Sequence, residues 1–276
     1  MSFKYGASVM TTLNKLMSMR GELALVTGAA GGIGKVISDS LAELGSNLLL
    51  VDLPGTDLEA LKKELIEKWD VDIAIIYCDL EQQQDRNELL ENVNCSYESL
   101  TVLVNNAAFV GSSTLSGWAE SFENQTIDTW RRALEVNLTA VFDLSKALTP
   151  ILKKSRNANI INIGSIYGEL GPDWNLYKDT KMANPAAYAA SKGGLIQLTR
   201  WLSTTVAPNI RVNAISPGGV FRNQPEVFVE RYVSRTPLAR MATEDDFRGA
   251  VAFLASGLSK YITGQNLVVD GGWSIW

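Results

Sequence analysis

Tyr188 and Lys192 stand four positions apart in the run Tyr-Ala-Ala-Ser-Lys. If residues 186–206 form a helix, the two side chains lie one above the other on a single face. A phenol with its ordinary pKa near ~10 is a poor acid or base at neutral pH, and a neighbouring ammonium favours its ionised form. The pair is therefore a candidate proton-transfer device. Spacing alone fits an ordinary helix carrying a Tyr and a Lys, so the rest of the chain has to decide.

Composition narrows the chemistry open to the protein if it is an enzyme. The 276 residues include no histidine and two cysteines, Cys78 and Cys95. Ser-His-Asp and Cys-His catalysis are excluded, and so is the commonest metal ligand. Two cysteines in this spacing make neither a disulfide framework nor a zinc site, so no metal is expected. Cys78 sits in an apolar run and reads as core. Acid–base chemistry must then run on Tyr, Lys, Asp or Glu.

A net charge of −5 with interspersed signs lacks the basic surface of a nucleic-acid binder. No apolar run reaches the ~18–20 residues of a membrane span. A cytoplasmic protein acting on a small molecule is the expectation. Residues 1–20 hold Lys4, Lys15 and Arg20 and no acid. They read as an N-terminal extension, or as sequence upstream of a start at Met17 or Met19. A transit peptide is the alternative.

The elements that must position Tyr188 and Lys192 begin at Glu22. Apolar runs at Leu23–Thr27, 48–51, 73–78, 101–104, 160–163, 210–215 and Asn266–Val269 read as strands. Between them, 57–69, 83–92, 129–152, 186–206 and 245–255 have helical spacing. Another helix runs from a glycine turn to Leu44, where Gly45 ends it. Near-continuous apolar strands alternating with helices predict an α/β doubly wound Rossmann fold, a parallel sheet of roughly seven strands covered on both faces. Its ligand crevice lies at the carboxyl ends of the strands. One domain over 21–276 is expected, with substrate loops near 109–125, 168–184 and 219–240.

Thr27-Gly-Ala-Ala-Gly-Gly-Ile-Gly34 falls between the first strand and the first helix. Glycines there permit a tight turn and close approach of backbone to a pyrophosphate, which the helix N-terminus then binds. Asp52 ends the next strand, ~20 residues on. A carboxylate there accepts both ribose hydroxyls of NAD and repels the 2′-phosphate of NADP. The following Leu53 offers no rescuing charge, so NAD(H) is favoured over NADP(H).

These motifs, in this order, resemble the short-chain dehydrogenase/reductases in their shorter, non-extended branch. The resemblance rests on Gly28, Gly32 and Gly34, on Asp79 and on Asn105-Asn-Ala-Ala108. It continues through Ser165, Tyr188, Lys192 and Pro217-Gly218, covering about residues 21–272. It implies that Gly28, Gly32, Ile33, Gly34, Asp52, Asp79, Leu80, Asn106, Ala107, Tyr188, Lys192, Pro217, Gly218 and Val220 hold the cofactor. Asp79 would meet the adenine, and Asn105 and Ala107 would flank the cofactor and steady the sheet.

By the same resemblance a catalytic tetrad carries the chemistry. Tyr188 is the acid/base, and Lys192 lowers its pKa while holding the nicotinamide ribose. Ser165 orients the substrate oxygen, and Asn137 supports a water-linked proton relay. The chemistry is consistent on its own terms: removing hydride from a carbinol carbon needs a base for the O–H and a donor for the developing charge. The expected reaction interconverts a secondary alcohol and a ketone.

One departure stands out, because Arg222 falls about where the family offers a threonine for the carboxamide. Two segments are long for the family, one between Ala108 and Thr126 with Trp118 and Phe122, the other at 171–182 with Trp174. Their aromatic and polar residues suit a polar, sugar-derived ligand. Arg222, Arg231, Arg235 and Arg240 would take a phosphate or carboxylate, or else pair with Glu226, Glu230 and Glu244, while Trp118 and Trp174 would anchor their own loops. The whole chain also resembles dehydrogenase-like proteins of bacterial surface-sugar and flagellin modification. An NADPH-dependent ketoacyl-thioester reductase and an idle nucleotide-binding protein are the competing readings. The family implies a homotetramer or homodimer, consistent with the apolar tail Trp273-Ser-Ile-Trp276.

Overall fold

The computed structural model describes residues 11–111 and 114–276. Residues 1–10 of the expected extension and 112–113 of the expected 109–125 loop lie outside the described residues. In chain order the elements are α1 (Leu13–Met17), β1 (Leu23–Thr27), α2 (Gly32–Glu43), β2 (Asn47–Asp52), α3 (Leu58–Lys68) and β3 (Ile73–Tyr77). They continue with α4 (Gln83–Ser96), β4 (Val102–Asn105), α5 (Ile127–Leu134), α6 (Ala140–Leu152) and β5 (Asn159–Ile163). The chain closes with α7 (Ala186–Thr205), β6 (Arg211–Pro217), α8 (Glu226–Arg235), α9 (Arg248–Ala255) and β7 (Asn266–Val269).

The strands pair in the order β3-β2-β1-β4-β5-β6-β7, every neighbour parallel. This is the doubly wound Rossmann-like sheet. Alternate residues of each strand face opposite sides, so both sides need cover. Val26, Leu48 and Leu50 meet Ile37 and Leu41 of α2 and Val251 of α9. Leu25, Leu49 and Leu103 meet Leu144 and Leu148 of α6. Each such leucine contributes about 1.5–3 kcal/mol by leaving water.

Three segments differ from what the periodicity predicts. The expected single helix over 129–152 is two helices, α5 and α6, joined by a π-helical turn at Glu135–Thr139. There the Ala140 N–H reaches back to the Glu135 carbonyl. The apolar spacing runs on through this turn, which is why the sequence hides it. The turn's extra residue re-aims the face that follows. Within the expected loop 219–240, Pro225 starts α8, which buries Phe228 and Tyr232, four residues apart. Finally, the expected extension is tied to the core at Met19, while the rest of residues 11–20 stay exposed or half-buried. Met19 packs into the core and donates its N–H to the Leu44 carbonyl at 2.8 Å.

Candidate active site

The strand order reverses between β1 and β4, and their carboxyl ends part there. Thr27 and Asn106 fix that gap. The Thr27 hydroxyl accepts the N–H groups of Asn106 and Ala107, both at 3.1 Å. The Asn106 amide donates to the carbonyls of Thr27 and Gly28, both at 2.9 Å. The result is a crevice of about 750 Å³ running from Asp79 past the glycine turn to Ser165 and Tyr188.

The glycine turn is shaped for close approach. Gly28 has φ +64°, and a Cβ on Gly34 would lie 2.0 Å from the Gly28 carbonyl oxygen. The N-cap of α2 is Gly31, with no side chain to bond the free N–H groups of the first turn. An open cradle of N–H groups at the positive end of a helix fits a pyrophosphate. Asp52 helps build it, accepting the Ala30 N–H at 2.7 Å and the Leu53 N–H at 2.8 Å. Each oxygen keeps a second lone pair for a hydroxyl.

Tyr188 lies in the first turn of α7, and Lys192 one turn on is 2 % exposed. A ladder of amides seats this helix on the sheet: Asn105 donates to Asn162 at 2.8 Å, and Asn162 to Thr199 of α7 at 2.9 Å. Burial raises the Tyr188 phenol above its ordinary pKa, while a hydrogen bond with Ser165 and the charge of Arg222 draw it back down. The Lys192 ammonium is turned to the Ile163 carbonyl at 2.7 Å, and burial lowers its pKa to about 8. Ser165 follows β5 and accepts the Tyr167 N–H at 3.2 Å.

The crevice brings together Ser165, Tyr188, Lys192 and every residue expected against the cofactor except Asn105. Asn137 is not on its wall. The π turn buries it, with its carbonyl accepting the Phe109 N–H at 2.6 Å and its amide donating to Ser191 at 3.0 Å. Ser191 in turn donates to the Tyr188 carbonyl at 2.8 Å. Asn105 is likewise buried beneath the crevice and bonds the sheet rather than lining the cleft. Sequence reasoning missed Arg132, which lines the crevice, pairs with Glu81 at 2.8 Å and lies 4.7 Å over the Phe109 ring. No local motif marks it.

A family model described as enoyl-(acyl carrier protein) reductase matches residues 28–274. The 3-oxoacyl-acyl-carrier-protein reductase FabG of Thermotoga maritima is 32% identical over 93% of this chain and 99% of its own. The post-translational flagellin modification protein A of Campylobacter coli is 28% identical over 93% of this chain and its full length, 100%. A short chain dehydrogenase from Leptospira borgpetersenii, solved with bound NAD+, superposes with TM-score 0.80 at 30% identity, over 99% of this chain and 100% of that one. The chain belongs to the short-chain dehydrogenase/reductase family. A gluconate 5-dehydrogenase from Burkholderia cenocepacia, solved with NADP and tartrate, superposes with TM-score 0.83 at 26% identity, covering 96% of this chain and 100% of that one.

In this short-chain dehydrogenase/reductase the two long segments line a second cavity, with Ala119 and Phe122 on one side and Trp174 and Tyr177 on the other. Trp118 anchors its own loop: it is buried, packs edge-on to Phe109 and donates to the Val110 carbonyl at 2.7 Å. Trp174 instead stands half-exposed, beside Tyr177. The four arginines of 219–240 are all ion-paired. Arg222 meets Glu244 at 3.2 Å, Arg231 meets Asp179 at 3.5 Å, Arg235 meets Asp173, and Arg240 meets Asp246 at 2.6 Å. Arg231 and Arg235 thereby clasp α8 to the 171–182 segment. Tyr167, Tyr177, Phe228, Tyr232 and Trp273 pack between them, so Trp273 belongs to this wall rather than to an exposed tail. Among the described residues no helix is long and apolar enough to cross a membrane.

Proposed function

We propose that this protein is an NAD(H)-dependent oxidoreductase that interconverts a secondary alcohol and a ketone on a polar, sugar-derived substrate. The observation that carries the reading is convergence: Ser165, Tyr188 and Lys192 face the same crevice as the glycine turn and Asp52. The glycine turn, Asp52, Asp79, Asn106, Pro217, Gly218 and Val220 would hold the dinucleotide. When bound, the dinucleotide supplies or accepts the hydride.

The protein's share of the work is proton handling and orientation. Ser165 donates a hydrogen bond to the substrate oxygen and holds it beside the Tyr188 hydroxyl. Tyr188 gives its proton to that oxygen in reduction and takes it in oxidation. The charge of Lys192, itself buried at the base of the crevice, stabilises the phenolate left behind. Asn137 acts through position, tying the Phe109 segment to the turn of α7 that bears Tyr188.

Asp52 supports NAD(H), because a 2′-phosphate would face its carboxylate. The exposed Trp174 and the polar 171–182 segment support a hydroxyl-rich substrate. The likeness to a FabG supports a second reading, an NADPH-dependent ketoacyl-thioester reductase. A screen of polyols, sugar nucleotides and sugar phosphates for NAD+ reduction, run beside a ketoacyl thioester with NADPH, separates them. Turnover of the thioester alone, with a strong NADPH preference, would refute the first reading. Exposed Trp130, Phe142 and Trp201 on α5, α6 and α7 support self-association as a homotetramer or homodimer, which light scattering tests.

A further inference from the structure

Arg222 takes the place of the family's threonine, and the roles given above to other residues leave it without one. Main-chain pairing sets its position. Val220 and Ala242 form a parallel bridge, with the Phe221 N–H donating to the Ala242 carbonyl at 2.8 Å and the Ala242 N–H to the Gly219 carbonyl at 3.0 Å. Parallel segments stay in step, so the residues two further along each, Arg222 and Glu244, emerge side by side. The Arg222 Nε donates to Glu244 Oε1 at 3.2 Å. Gln224 holds the turn beyond: its carbonyl accepts the Arg222 N–H at 2.7 Å and its amide donates to the Val220 carbonyl at 2.8 Å.

The ion pair lies across the glycine turn. A Cβ on Gly32 would come within 2.7 Å of Glu244 Oε1 and 3.1 Å of Arg222 Nη2. Gly32 is the first residue of α2, beside the uncapped N-terminus that suits an anion. Two charges of opposite sign therefore compete for one place. A pyrophosphate arriving there is repelled by Glu244 and attracted by Arg222, whose planar fork matches phosphate oxygens. The paired side chains are 54% and 29% exposed, and an ion pair so open to water exchanges partners readily.

We propose that Arg222 is a cofactor-binding residue that leaves Glu244 and takes the dinucleotide's pyrophosphate, an assignment that rests on the dinucleotide reading above. Glu244 is the counter-ion that keeps the arginine over the glycine turn until the nucleotide arrives. The arginine thus adds to the pyrophosphate site a charge that the glycine motif by itself does not contain.

Calorimetric titration of the full chain with ADP-ribose and with adenosine, at low salt, tests the exchange. Arg222→Gln weakens ADP-ribose about 10-fold or more, the cost of a lost charge-assisted hydrogen bond to phosphate. Glu244→Gln tightens ADP-ribose about threefold by removing the competitor. Adenosine, which has no phosphate, binds all three proteins within about twofold of one another. Thermal melting verifies that each variant is folded, and Arg222→Lys recovers part of the lost affinity.

Equal ADP-ribose affinity in wild type and Arg222→Gln would overturn the assignment. So would a loss that adenosine shares, or a Glu244→Gln variant that binds ADP-ribose more weakly. If wild-type protein binds ADP-ribose and Arg222→Gln changes nothing, the inference alone fails. If wild-type protein binds neither ligand, the dinucleotide reading fails and takes the inference with it.

Discussion

The Lys192 ammonium donates to the Ile163 carbonyl at 2.7 Å and stands 5.8 Å from the centre of the Tyr188 ring. A charge is thus held at the end of β5 by one carbonyl, in a place water does not reach. Burial lowers its pKa from 10.5 to about 8. Below pH 8 the lysine is charged in folded and unfolded chains alike, and the folded protein bears the full cost of the buried charge. Between about pH 8 and 10.5 the unfolded chain binds more protons, so stability rises with pH. Lys192→Met should therefore be more stable than wild type near pH 7, by on the order of 2 kcal/mol. Denaturant melts across this range should show the advantage shrinking as pH rises from 8 to 10.5.

Tyr188 is the group assigned to the proton, so removing its hydroxyl tests chemistry without removing the ring. Tyr188→Phe should lower kcat by about 10²–10⁴-fold. The dissociation constant for NAD+, measured by fluorescence, should stay within about twofold of wild type, because the cofactor cradle is untouched. Full turnover in this variant, on any verified substrate, would remove Tyr188 from the mechanism.

Asp52 both builds the glycine turn and lines the crevice where the proposed ribose would lie. Asp52→Asn keeps the size but loses the charge and one acceptor, and it turns an NH2 toward the N–H of Ala30 or Leu53. The KM for NAD+ should rise about 10-fold, and the ratio of kcat/KM values for NAD+ and NADP+ should fall further. Steady-state rates with both cofactors read this directly.

Asn137 satisfies the Phe109 N–H and the Ser191 hydroxyl in a buried place. Asn137→Ala leaves the Phe109 N–H without its acceptor and removes the donor to Ser191, at a cost of about 1–3 kcal/mol. The urea midpoint should drop with no change in m-value. Activity should fall through kcat, since Ser191 also holds the turn that bears Tyr188.

Asp173 and Arg235 clasp the 171–182 segment to α8. Asp173→Ala should raise the substrate KM several-fold and leave the cofactor dissociation constant unchanged. The Tm should fall only modestly, because an ion pair this exposed contributes less than ~1 kcal/mol and the lost bond to the Asn175 N–H about 1 kcal/mol more. A substrate KM unaffected by the substitution would separate these loops from recognition.

What the sequence discloses follows from how far apart the interacting residues are. Tyr188 and Lys192, the glycine turn, and Asp52 at a strand end are local signals, and each lies where its spacing predicts. The seven parallel strands follow from apolar runs alternating with helices. Arg222 with Glu244, and Arg235 with Asp173, are pairs 22 and 62 residues apart. No period links them, and only the Val220–Ala242 bridge and the packing of α8 bring them together. The π turn at Asn137 is hidden for the opposite reason: its residues have ordinary helical spacing, and the extra residue shows only in the backbone bond from Ala140 to Glu135.

The clasp between α8 and the 171–182 segment has a practical consequence for anyone who would redesign this mouth. Two walls bolted together are one part. A library that randomises either wall alone also changes what the other wall packs against, so its hits report altered packing together with altered recognition. The unit to exchange is the pair of segments, transplanted together as a cassette with Asp173, Asp179, Arg231 and Arg235 held constant.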